Sequence, residues 1–202
     1  VDEDDKTIIG KAMPQHTGGF TINGNWKAID FSVGFTYQIG GDVYNANAMH
    51  SLMGNKDNSA GQNRLKFVSE TFKYYDVDAN GDLMLVKDPT ALAALNANTN
   101  YSSFFSEYGI VSSKFIEDAS YLRLNTLTVG YTFPKNWMNK IGLQNARVYF
   151  TGSNLFCIDG YSGIDPDVNT KTDGKDGFPT PYFDYQSYPK ARTYTFGVNL
   201  TF

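Results

Sequence analysis

The stretch Arg192–Phe202 reads RTYTFGVNLTF, and its alternation decides the fold. In an extended strand successive side chains point to opposite faces. Tyr194, Phe196, Val198, Leu200 and Phe202 therefore share one face, and Thr193, Thr195, Gly197, Asn199 and Thr201 the other. The first face is wholly apolar, the second polar or small, and no charge follows Arg192. A membrane barrel strand needs this division, because hydrocarbon meets its outer face while water or protein fills the lumen. An edge strand of a soluble sandwich also alternates, so this stretch alone leaves both architectures open.

Composition narrows the choice. The 202 residues suffice for one or two domains, and a net charge of −4 speaks against a nucleic-acid surface. Fourteen Tyr, 15 Phe and 19 Gly point to an all-β chain rich in turns. No run of about 18 apolar residues occurs, so no transmembrane helix is expected; barrel strands hide their apolar residues by alternation. The single Cys157 has no partner for an internal disulfide and reads as a small buried filler. Neither His16 nor His50 has a second ligand at zinc spacing. The chain starts at Val1 without Met or signal peptide, as a mature, processed or truncated chain would.

Further strands follow the same logic. Residues 17–26 carry apolar side chains at even positions (Phe20, Ile22, Trp26), and residues 29–39 at odd ones (Ile29, Phe31, Val33, Phe35, Tyr37, Ile39). A two-residue turn at Lys27-Ala28 sets Trp26 opposite Ile29, Gly24 opposite Phe31 and Ile22 opposite Val33, so the change of parity keeps one apolar face. A third strand is expected at 121–133, where Leu127, Val129, Tyr131 and Phe133 alternate with Thr126, Thr128, Gly130 and Thr132. Leu122-Arg123-Leu124 breaks that parity, as a bulge or emergence above the membrane would. The fourth, 145–155, turns Val148 and Phe150 outward and Arg147, Tyr149 and Thr151 inward; the fifth is 192–202.

Connections after the first and third strands are short, whereas 40–120 and 156–190 are long. Barrels of bacterial outer membranes have short periplasmic turns and long extracellular loops, so the last strand descends towards the periplasm. Five strands cannot close a barrel, and open edges are intolerable in lipid, so the chain is expected to be a fragment or to pair with other strands.

Ser113–Pro134 (SKFIEDASYLRLNTLTVGYTFP) resembles the corresponding stretch of SusC-like (RagA-type) TonB-dependent transporters of the Bacteroidetes outer membrane. Ala146–Phe156 (ARVYFTGSNLF), Gly163–Asn169 (GIDPDVN) and Tyr188–Phe202 (YPKARTYTFGVNLTF) continue the likeness, and Asp5–Phe20 (DKTIIGKAMPQHTGGF) opens it. The resemblance implies the C-terminal part of a barrel of about 22 strands. The plug domain and TonB box are not recognisable in 1–202. It further implies import of nutrient oligomers, glycans or peptides, driven by the TonB complex, with a SusD-like surface lipoprotein as lid. The ending Thr195-x-Gly197-x-x-Leu200-x-Phe202 resembles the signal read by the outer-membrane insertion machinery.

Candidate sites are few. Asp76, Asp78, Asn80 and Asp82, with Gly81, have the spacing of a calcium loop, but Lys87 stands where a bidentate Glu is required. Asn80-Gly81 is also a strong hairpin turn, and that reading is favoured. Calcium is thus the only cofactor to consider, and none is the expectation. VDEDDK at residues 1–6 reads as a solvated acidic stretch. Tyr161, Asp165, Asp167, Tyr182 and Tyr185 are candidate lid or cargo contacts in the last long loop, with loop packing the favoured role. Arg147, Tyr149, Thr195 and Asn199 would face the lumen or plug; Tyr194, Phe196, Val198, Leu200 and Phe202 would face lipid. No nucleophile–base pair, HExxH or phosphate loop is present, so an enzyme is not expected. A siderophore- or cobalamin-type receptor is the runner-up, and a secreted β-sandwich carbohydrate-binding or adhesion module is the reading from another class.

Overall fold

The computed structural model describes residues 6–52, 63, 65–101, 112–171, 179–185 and 187–202. In chain order its elements are β1 (His16–Trp26), β2 (Ile29–Ile39), β3 (Asp42–Asn45), α1 (Ala46–Leu52), β4 (Tyr75–Val77), β5 (Leu83–Leu85), α2 (Pro89–Leu95), β6 (Ile116–Asp118), β7 (Tyr121–Thr132), α3 (Lys135–Met138), β8 (Asn145–Asp159), β9 (Asn169–Lys171), β10 (Pro179–Pro181), β11 (Phe183–Asp184) and β12 (Thr193–Thr201). The chain divides into two compact units, residues 1–44 with 116–202, and residues 45–115.

The first unit is organised by a five-stranded antiparallel sheet in the order β1-β2-β7-β8-β12. Its register sorts side chains into rows. One face carries Trp26–Ile29–Tyr131–Val148–Val198, then Gly24–Phe31–Val129–Phe150–Phe196, then Ile22–Val33–Leu127–Gly152–Tyr194. The other carries Asn25–Asp30–Gly130–Tyr149–Gly197 and Asn23–Ser32–Thr128–Thr151–Thr195. The β1–β2 pairs are those that the parity change at Lys27-Ala28 demands.

Nothing among the described residues covers the apolar face: Phe196 is 79% exposed and Val198 62%. Contiguous apolar surface of this kind marks a contact with something other than water. The Phe150 and Phe196 rings meet at 5.0 Å in a tilted contact, and Phe20 stacks on Phe35 at 5.0 Å, so cross-strand ring contacts brace the rows.

Two readings need correction. The fourth strand does not stop near residue 155 but continues to Asp159, and the last long connection starts after it. Asn154, at φ 52°, shifts the phase of β8, and Asn125 bulges out of β7 at the same level. Beyond the shift the ladder resumes with Leu124↔Phe156 and Leu122↔Ile158, which returns apolar residues to the apolar face. The broken parity at Leu122-Arg123-Leu124 is therefore a bulge. Residues 40–120, read as a long loop with one hairpin in it, contain that hairpin as β4–β5 and, beyond it, β3, β6, α1 and α2.

A small second sheet, β11-β3-β6, lies at the long-connection end of the first unit. Its core is Val43, Ala119, Tyr161 and Val168, with Tyr182 against it. In the second unit β4 and β5 form a hairpin. Asp88 caps α2 there, accepting from Ala91 N at 2.8 Å, with Pro89 at the first helical position.

Candidate functional site

The polar face of the large sheet is tied across three strands. Arg147 on β8 donates from Nε to Asp30 Oδ1 at 3.0 Å and from Nη2 to Asp30 Oδ2 at 2.5 Å, a two-point ion pair that spans β7. Gly130 of β7 lies under the crossing guanidinium; a Cβ there would sit 2.1 Å from Arg147 Nη2. The guanidinium also stands over the Tyr149 ring at 5.3 Å. Tyr149 in turn covers Gly197, where an added Cβ would come within 2.2 Å of the ring. Thr128 and Thr151 hydroxyls meet at 3.0 Å one row away. Thr195 and Asn199 share this face, opposite Thr151 and Arg147.

At the long-connection end the residues of the last loop are packed and paired. Asp165 is buried and accepts from Arg123 Nη2 at 2.6 Å, with both side chains under a tenth exposed. Asp165 Oδ1 also accepts from Asp167 N at 3.0 Å, so one carboxylate anchors the loop and caps its turn. Asp167 pairs with Lys190. Tyr182 donates its hydroxyl to Gln38 Oε1 at 2.9 Å, while Gln38 Nε2 donates to Ala119 O at 3.0 Å. Tyr161 donates its hydroxyl to the buried Asp184 at 2.6 Å; burial first, and then the facing carboxylate, push that phenol well above its usual range. Arg123 Nε and Asp184 Oδ1 are buried without a hydrogen-bond partner.

Of the five loop residues named from sequence, Tyr161 is thus held by Asp184 of the same loop, and Asp165 and Tyr182 by Arg123 of β7 and Gln38 of β2. Asp167 is half-exposed and bound to Lys190, and Tyr185 is 40% exposed. Sequence reading missed Asp30, Arg123, Asp184 and Gln38. The available signal was charge economy: Asp30 is the only acidic residue between 6 and 41.

The Asp76–Asp82 segment forms a hairpin turn between β4 and β5. Asp78 Oδ1 accepts from Asn80 N at 2.8 Å and Asp82 N at 2.9 Å, and Gly81 takes φ 90°. Those backbone N–H donors, Asp82's foremost, lower the Asp78 carboxyl below its usual range. Among the described residues no group of three or more His, Cys, Asp or Glu side chains gathers as metal ligands.

An antiparallel sheet with one face exposed and apolar, the other polar and braced, and long connections at one end is a sector of an outer-membrane β-barrel. No protein-family model matches the chain. It is similar to TonB-dependent receptor P3 of Formosa agariphila, 30% identical over 98% of this chain and 17% of that protein. It is also similar to TonB-dependent receptor SusC of Bacteroides thetaiotaomicron, 28% identical over 100% of this chain and 16% of that protein. Among solved structures, a chain of the RagAB peptide transporter shares the fold with a TM-score of 0.66 at 21% identity, over 96% of this chain and 18% of that one. Along its whole length the chain is similar to TonB-dependent receptors, SusC among them, and it has the fold of a sector of an outer-membrane barrel. It spans about a sixth of the length of the curated relatives it matches.

Proposed function

We propose that the whole protein imports nutrient oligomers, glycans or peptides, across the outer membrane, with the TonB complex as energy source and a SusD-like lipoprotein as lid. The sector supplies wall and rim for that task and no catalysis. Its apolar rows meet lipid, and the Asp30–Arg147 face lines the lumen against the plug or passing cargo. The observation that carries this reading is the division of the sheet itself: an exposed apolar face backed by a polar face braced by the Asp30–Arg147 ion pair. The likeness to SusC over the whole chain supports a lidded importer over a siderophore receptor.

The test is deletion of the full-length gene followed by growth on single glycans or on peptides as sole nutrient. Loss of growth on one oligomer class, restored by the gene and co-purifying with a surface lipoprotein, is expected. Loss of iron or cobalamin uptake instead, with no lipoprotein, overturns the oligomer reading.

A further inference from the structure

Both tryptophans of the chain lie at the short-turn end of the large sheet. Trp26 ends β1 on the apolar face and is 65% exposed. Trp137 stands in the turn between β7 and β8, 58% exposed, with Ile141 at 65%. Met138 of the same turn is buried, whereas Trp137 and Ile141 are exposed. Leu143 N donates to Met138 O at 3.1 Å and Gly142 takes φ 75°, closing the turn.

Three exposed lysines flank these side chains: Lys27, Lys135 and Lys140. Lys27 Nζ stands over the Trp26 ring at 4.8 Å. None of the three pairs with a carboxylate among the described residues. No acidic residue occurs from 119 to 158, and Asp30, the only one from 6 to 41, is held by Arg147. Apart from Asp30, which Arg147 holds, the side-chain charges described at this end are cationic, in a chain of net charge −4. This end also adjoins the last apolar row, Trp26–Ile29–Tyr131–Val148–Val198, where the lipid-facing wall meets the headgroups.

We infer that this rim docks on anionic phospholipid headgroups of the periplasmic leaflet. The indoles and Ile141 sit at the interface, where amphipathic rings are stable, and the three ammonium groups meet lipid phosphates. Charge complementarity selects the occupant: unpaired cations on a lipid-contacting rim are matched by headgroups that carry net negative charge, and zwitterionic lipid leaves them unneutralised.

The full-length receptor in neutral detergent, titrated with phosphatidylglycerol or phosphatidylcholine and read by native mass spectrometry, tests this. The wild type is expected to retain phosphatidylglycerol preferentially. Each lysine contributes about fivefold, so the triple variant K27Q/K135Q/K140Q loses on the order of 100-fold. The corresponding triple Arg variant keeps the preference. Heat-modifiable gel migration confirms that each barrel is folded; if the triple Gln variant is not, the three single variants report the fivefold steps. Equal retention of the two lipids by the wild type overturns the inference, as does undiminished phosphatidylglycerol retention by the folded Gln variants. Release of phosphatidylglycerol by millimolar inorganic phosphate overturns it in favour of a free-anion site. Pull-down of a periplasmic protein through these lysines, with no lipid preference, overturns it in favour of a protein partner.

Discussion

Arg147 and Asp30, 117 residues apart in sequence, are joined by two hydrogen bonds that cross an intervening strand, and the strand permits this only because residue 130 is glycine. In the full-length barrel, Arg147→Ala and Asp30→Ala are expected to lower the thermal midpoint less together than the sum of the two alone. Gly130→Val should reproduce the Arg147→Ala loss without touching either charge, because its side chain occupies the guanidinium's path. Additive single effects in a double-mutant cycle would remove the coupling.

Arg123 and Asp165 are more deeply buried, so breaking their pair strands a charge. Arg123→Ala is expected to cost about 3–5 kcal/mol locally. The readout is hydrogen exchange at residues 160–168, which should accelerate, together with cleavage of intact cells by added protease. Unchanged protection would show that the loop base is held by its apolar core alone.

Tyr161 gives the same loop base a pH dependence. Its folded pKa is raised above the ordinary value of 10, so its contribution is complete below pH 10 and is lost as pH rises towards the folded value. Wild-type protection at 160–168 should therefore fall above about pH 10. Tyr161→Phe should lack that alkaline component and be weaker at neutral pH by about 1–3 kcal/mol, since Asp184 loses its donor.

Val198 lies in an exposed apolar row of the large sheet. Val198→Arg is expected to destabilise the barrel by about 2–4 kcal/mol if it lies near the bilayer interior, and to impair assembly. Asn199→Arg, one residue along on the polar face, should assemble normally. Equal heat-modifiable band intensities for the two variants would contradict the face assignment.

At the β4–β5 turn both Asp78 backbone bonds are made within the loop, so saturating calcium is expected to leave the thermal midpoint unchanged, whereas Asp78→Ala should raise proteolysis at 78–82. A rise in midpoint with calcium would reinstate the metal reading.

The strands and their pairing were legible because period-two alternation is local: Trp26 and Ile29 announce their own register across a two-residue turn. The bulge was half legible. Leu122 and Leu124 showed a phase slip in one strand, but Phe156 and Ile158 carry the matching slip in β8, and only reading the two together extends that strand to Asp159. The braces were not legible. Asp30 and Arg147, or Arg123 and Asp165, owe their meeting to which strands are neighbours, and no periodicity records that. Asp165, beside Pro166, reads as a residue that shapes the loop; that Arg123 draws it inside is recorded by no local pattern.

Tyr149 and Arg147 lie down along the wall, each over a glycine, instead of standing out from it. Two of the bulkiest residues on the polar face therefore add little to the thickness of the sheet, and the room they lie in is left by Gly130 and Gly197, the two positions with no side chain at all.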